Sequence, residues 1–290
     1  MKLTKFATAI ALAIASITAH AIPLNSINGS VNWKLAGLTT ESNLTTGTNE
    51  TTWGVGAITS LSSSSGNWAA GLSDGSYLYY MIYGIADQNI VTSGSNFDIY
   101  NVGATGGVAD GKIHMDIYRS NTQIAALDQN FNANPANRTS FNSYSLLAAL
   151  GPAYLKAEMN PGKQLVNVVG GTDPLADETL ASLVQHVFST SLPTDGQGSF
   201  FADVVGGTAA TKWDTNGFFG HDFDAKFTLS INGASYGTGT CTDAQVAANT
   251  CFAGYINDPL RSVALPEPGS MALVGLGLLG LGALRRRKGA

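Results

Sequence analysis

The sequence predicts a mainly β exported domain, a β-sandwich or jelly-roll-like body with one or two short helices, followed by a single C-terminal transmembrane helix. Three observations lead there. Gly makes up 34 of the 290 residues and charged residues only 12%, and Ser, Thr and Asn are abundant, a composition suited to short strands joined by turns. Many segments alternate apolar and polar residues with period two. An apolar run near each end of the chain stands apart from everything between them.

The first of these runs is Met1–Ala21. Lys2 and Lys5 precede the apolar stretch Phe6–Ile17, and Ala19-His20-Ala21 forms an A-x-A cleavage site. This is the pattern of a secretory signal peptide, with Ile22 as the first mature residue. It implies the Sec translocon and signal peptidase as partners. The chain then divides into a signal peptide at 1–21, an exported β-rich domain at 22–262 and a tail at 263–290.

Within the middle part, candidate strands are Val31–Leu35, Thr52–Ser60, Asn67–Gly71, Tyr77–Ile85, Phe97–Val102, Lys112–Tyr118, Gln164–Val169, Phe200–Val205 and Phe223–Ile231. Tyr77–Ile85 is apolar on both faces and reads as a central strand. Turn signals such as Ser65-Gly66-Asn67, Asp74-Gly75 and Asn232-Gly233 separate them. The Thr/Ser/Asn-rich stretch Thr39–Thr52 reads as a loop.

Two helices interrupt the strands. Ser140–Leu150 places Phe141, Tyr144 and Leu147 on one stripe and stops at Gly151-Pro152. In Pro174–Thr190, Asp173 sits at the cap, Pro174 at the first helical position, and Asp177 and Glu178 near the positive dipole end. Leu180, Leu183, Val184, Val187 and Phe188 then form a single core-facing stripe, which leaves His186 on the solvated side.

Cys241 and Cys251 bracket nine residues. In an oxidising compartment such a pair closes a local disulfide loop, a contribution of about 2–3 kcal/mol in the chain-entropy view. Charge narrows the partners. Without Lys2, Lys5, Arg285, Arg286, Arg287 and Lys288, 9 of the 15 basic residues remain; without Glu267, 19 of the 20 acidic ones remain, a net of -10 for the exported part. An acidic, sparsely charged surface argues against nucleic acid.

The second run closes the chain. Pro266, Glu267 and Pro268 are followed by the apolar Met271–Leu284 and then by Arg285, Arg286, Arg287 and Lys288. As a helix the run is about 21 Å long, against about 30 Å of hydrocarbon. That length suits a temporary tether whose cationic end snorkels to the headgroups. The ordered set resembles the PEP-CTERM sorting tail of Gram-negative bacteria. The resemblance implies recognition and cleavage near Pro266–Pro268 by an exosortase-like enzyme. It further implies an inner-membrane-tethered precursor, then a cell-surface or extracellular product in an exopolysaccharide-producing bacterium. More weakly, Glu50–Gly56 and Trp213–Phe218 are similar to runs in the exported parts of such proteins. No activity follows from that likeness.

Gly233-Ala-Ser235-Tyr-Gly237 matches a nucleophile elbow, but no helix-forming segment and no histidine follow it. Gly275-Leu-Gly277-Leu-Leu-Gly280 lies inside the apolar run and reads as small residues in a membrane helix. His114 with Asp116, His221-Asp222-Phe223-Asp224, and Asp214-Thr-Asn216-Gly217 offer oxygen and nitrogen ligands, with calcium the metal they would suit. No cofactor and no catalytic residue is expected. Trp33, Trp53, Trp68 and Trp213 are either core residues or, if exposed, platforms for sugars. The expectation is a non-enzymatic surface or matrix protein, against the competing classes of a secreted hydrolase or carbohydrate-binding module acting on glycans.

Overall fold

A computed structural model describes residues 21–41, 46–127, 137–160, 181–188, 194–231 and 252–266. The described chain is mainly β. In order, its strands are β1 (Gly29–Glu41), β2 (Thr52–Ser63), β3 (Gly66–Ala69), β4 (Tyr77–Ser93), β5 (Asn96–Gly103), β6 (Ile113–Ser120), β7 (Arg138–Ser140), β8 (Ser143–Tyr144), β9 (Leu155–Asn160), β10 (Leu183–Val187), β11 (Thr194–Gly206), β12 (Phe223–Ile231) and β13 (Phe252–Ala264). Among the described residues helix is confined to short turns, such as Ser145–Ala148 and Ala210–Trp213.

The antiparallel pairing closes on itself. It runs β1–β2–β4–β6–β9–β11–β12–β13 and returns to β1. The sequence predicts a sandwich; the described strands form one closed circuit, which leaves no edge along those eight strands. Two positions in the wall are each shared by two strands. Ile85 of β4 pairs with Thr52 on one side and Gly103 on the other, and Tyr79 pairs with Ala57 and Tyr118. So β5 and β6 lie end to end along the side of β4 that faces away from β2. By the same reasoning β10 and β9 lie end to end along β11, opposite β12.

Alternation fills the inside. Trp33, Leu35, Ile58, Tyr80, Ile82, Met115, Ile117, Leu155, Ala157, Met159, Phe200, Phe223 and Leu260 belong to one buried cluster. A mostly apolar cavity of about 40 Å³ remains among Leu35, Tyr80, Ile82, Phe200 and Leu260. On the outer face, Trp53, Val55, Tyr79, Met81 and Tyr83 are covered by Leu127, Tyr144 and Leu147. There Arg138 pairs with Glu50, lies 5.0 Å from the centre of the Trp53 ring, and so pins the β7–β8 hairpin to the start of β2.

Most strand expectations hold with longer ends, and Tyr77–Ile85 is central as predicted. Three readings change. Thr39–Thr52 is not all loop, since β1 reaches Glu41 and β2 begins at Thr52. The helix expected over Ser140–Leu150 shrinks to Ser145–Ala148 behind the small hairpin, because Ser140 pairs with Ser143 and Tyr144 with Arg138 as strand. The predicted helix Pro174–Thr190 is overturned where it is described: Leu183–Val187 is strand, with both faces buried between β5 and β11. A short strand wet on neither face shows no alternation, so its apolar residues also fit a helical stripe. His186 is consequently 3% exposed rather than solvated, with Nδ1 against Asp98. The strand expected at Gln164–Val169 lies outside the described residues, as do Cys241 and Cys251, both glycine motifs, and Met271–Leu284.

Candidate functional site

The two ends of the described chain meet at one end of the barrel. Gly29 opens β1 and Ala264 closes β13, and the two are direct ladder partners. The final strand thus continues through Val263 and Ala264, two residues into the segment assigned from sequence to the tail. Leu265 N–H then donates to the Lys212 carbonyl at 2.8 Å, and Pro266, exposed, is the last described residue.

Lys212 is placed by the short helix Ala210–Trp213. That helix is anchored by Thr208 N–H to the Ala153 carbonyl and Ala209 N–H to the Tyr154 carbonyl, at 3.0 and 2.8 Å. Trp213 forms its apolar side and plugs the barrel. Its ring lies 4.6 Å from that of Trp33, and its indole N–H donates to Tyr154 Oη at 3.3 Å. On the polar side, Lys212 Nζ donates to the Asn25 carbonyl at 2.6 Å and the Leu24 carbonyl at 3.4 Å. One lysine therefore touches the segment that begins the body through its side chain and the segment that ends it through its backbone.

The beginning of the body is tied down just as locally. Ile22 N–H donates to the Asn67 carbonyl at 2.8 Å, and Leu24 N–H to Asp74 Oδ2 at 2.9 Å. Asp74 Oδ1 also accepts from Ser76 N–H and the Trp68 indole. Burial alone would raise the Asp74 pKa, but these donors outweigh it and hold the carboxyl at about 2. Arg119 Nη2 stands 3.5 Å from the same carboxylate. Between the two ends opens a cleft of about 670 Å³ lined by polar side chains, among them Asn25, Arg119 and Lys212, and by apolar ones, among them Leu150, Tyr154 and Leu265.

Beside this exit, residues 214–222 form a loop around Asp222. Its Oδ1 accepts from Thr215 and Asn216 N–H, and its Oδ2 from Val204 N–H at 2.8 Å. Phe218 and His221 exchange two backbone hydrogen bonds of 2.8 Å, which makes Phe219-Gly220 the tip of a two-residue hairpin. Both tip residues have positive φ, 53° and 90°.

The metal-ligand sets read from the sequence are used separately. His114 Nε2 lies 3.0 Å from Asp110, Asp116 accepts the Tyr83 hydroxyl at 3.2 Å, His221 Nδ1 lies 3.2 Å from Asp203, and Asp224 pairs with Arg261. Asp222 serves the loop backbone instead of joining His221. Among the described residues no group of three or more such side chains converges. The four tryptophans are all buried, Trp33, Trp68 and Trp213 completely, so the core reading of them holds and the sugar-platform reading does not. Of the predicted sorting and processing residues, Ala21, Ile22 and Pro266 are described. Ala19, Glu267, Pro268, Arg285, Arg286, Arg287 and Lys288 lie outside. Lys212 and the loop hairpin were not legible as site residues, because their roles depend on partners remote in sequence.

The molecule is thus a mainly β body whose last strand leads directly into a C-terminal sorting segment. Residues 264–288 match the PEP-CTERM protein-sorting motif. The motif marks a sorted, exported protein that is anchored transiently in the membrane and processed by an exosortase-like enzyme. No curated protein and no solved structure matches the chain.

Proposed function

We propose that this protein is a non-enzymatic component of the cell surface or extracellular matrix, associated with exopolysaccharide in a structural or adhesive role. Signal peptidase cuts between Ala21 and Ile22. The run Met271–Leu284 then holds the exported body as a transmembrane helix, with Arg285–Lys288 on the cytoplasmic side. The sorting enzyme cuts near Pro266–Pro268 and releases the barrel.

The observation that carries this reading is the pairing of Gly29 with Ala264. It makes Ala264 the last rung of the β1–β13 ladder, and Leu265 and Pro266, which follow it, are exposed and so open to a processing enzyme. Terminal mass spectrometry of the mature protein tests it. A product that begins at Ile22 and ends close to Pro266 is expected; a surface-located product retaining Arg285–Lys288 refutes cleavage. Incubating the purified mature protein with the producing cell's polysaccharide separates the activity classes: co-sedimentation without products supports a matrix role, and release of shorter glycans overturns it.

A further inference from the structure

We propose that, while the precursor is tethered, the flank of the barrel carrying the Phe219 hairpin rests on the phospholipid bilayer, with Phe219 inserted among the headgroups. The inference rests on the tail reading and adds to it a surface and an orientation.

Phe219 combines two costs. It is 91% exposed, and at φ 53° it occupies the left-handed region that a bulky side chain rarely adopts. Gly or Asn would suit the position better. Strain of this kind, at about 1–3 kcal/mol, collects where function requires it. Here an aromatic ring is held out from the body, with only an edge contact to Phe201 at 6.2 Å. Its neighbours extend the surface. Arg261 lies 5.6 Å over Phe218 with about half its side chain exposed, and Leu265 is 44% exposed. A protruding aromatic suits the membrane interface, where the ring enters the headgroup layer; the Arg261 guanidinium beside it is paired with Asp224, so the two side chains set no net charge against the phosphates.

Position selects the bilayer as the occupant. Thr215 Oγ1 donates to the Val263 carbonyl at 3.5 Å, and Phe218 sits over Arg261, three residues before Ala264 in β13. The hairpin is therefore about 10 Å along the strand from the point where the chain leaves the body. From Pro266 to Met271, the start of the apolar run, the extended chain spans at most about 18 Å. A run shorter than the hydrocarbon thickness draws its flanks inward. An anchored body on so short a leash must touch the headgroups with the surface around its exit, and the Phe219 hairpin lies on that surface.

The test uses the full precursor reconstituted in vesicles of phosphatidylethanolamine and phosphatidylglycerol. A fluorescent label is placed through Phe219→Cys or through Ser95→Cys, which lies in the β4–β5 turn at the opposite end of the barrel; the parent protein gives the background labelling. Flotation with the vesicles, with strong quenching by headgroup-quencher lipids at position 219 and little at 95, is the expected result. Flotation with equal quenching at both positions, or quenching at 95 alone, overturns the docking surface and leaves the tail reading standing. Failure to float overturns the tail reading itself. A second variant, Phe219→Gly, carries a label through Thr211→Cys: the proposal expects a higher Tm, from relief of strain, together with weaker quenching at 211. A higher Tm with unchanged quenching makes Phe219 incidental and sinks the proposal.

Discussion

Gly29 and Ala264 face each other in the ladder between β1 and β13, so the first and last strands of the body are neighbours. Lys212 fastens that junction, its side chain donating to the Asn25 carbonyl and its own carbonyl accepting from Leu265 N–H.

Replacing Lys212 with Met keeps the aliphatic stem and removes the donor to Asn25 and Leu24. The partly exposed site limits the cost to about 1 kcal/mol. The expected result is a Tm lower by about 2–4 °C, with faster proteolysis between Ile22 and Ile27. Unchanged stability and proteolysis would show that the backbone bond to Leu265 suffices.

Stability should peak near pH 4. Asp87 is wholly buried on β4, and burial pushes its carboxyl up to about 6 despite donation from Thr51 and Asn101. Its native state therefore binds the proton more tightly than the unfolded chain. The stability this contributes is complete below about pH 3.9 and lost as pH rises through 6. Asp74 acts oppositely: its native pKa of about 2 contributes stability above about pH 3.9, lost as pH falls through 2. Calorimetry across this range should show both slopes, and Asp87→Asn should flatten the upper one. A profile unaltered by that substitution would contradict the assignment.

The buried pair of Asp98 and His186 joins β5 to β10. Removing either partner alone strands the other in the interior, at about 3 kcal/mol. Replacing both with Leu should cost less than the two single changes summed. Denaturant midpoints for the four proteins of this cycle measure the difference; simple additivity would mean that the two side chains do not depend on each other.

Gly37, Gly56 and Tyr80 form one row across β1, β2 and β4. A Cβ at Gly56 would lie 2.3 Å from the Ala36 carbonyl oxygen and 2.5 Å from Gly37 Cα, both backbone atoms. Gly56→Ala should therefore destabilise by about 1–3 kcal/mol. Gly47→Ala, where a Cβ meets nothing within 4 Å, is the control and should be neutral. Equal effects at the two positions would remove the steric explanation.

How far the sequence disclosed all this depends on how local each signal is. The tail and the alternating strands were readable because their residues carry the pattern side by side. Leu155–Asn160 went unread although Leu155, Ala157 and Met159 point inward, since Leu, Lys, Ala, Glu and Met favour helix in isolation. The last strand was hidden by Asp258, Pro259 and Arg261. Pro259 stands opposite Lys34, beside the irregularity where β1 shifts register against β2, a place where a strand tolerates proline. The Asp98–His186 pair and the Lys212 junction join residues 88 and 187 positions apart. Only the closed pairing brings them together.

The end-to-end seating of β5 and β6 has a practical consequence. Between Gly103 and Ile113 the chain steps out of the wall and back in, and the step is sealed by Ala104 N–H on the Gly84 carbonyl and Gly111 N–H on the Ala104 carbonyl, each at 2.8 Å. The excursion between those seals, with Gly107 and Val108 in open solvent, is a joint into which a foreign epitope can be spliced without parting a stave. A molecule already addressed to the outside of a cell thereby offers a ready port for displaying cargo there.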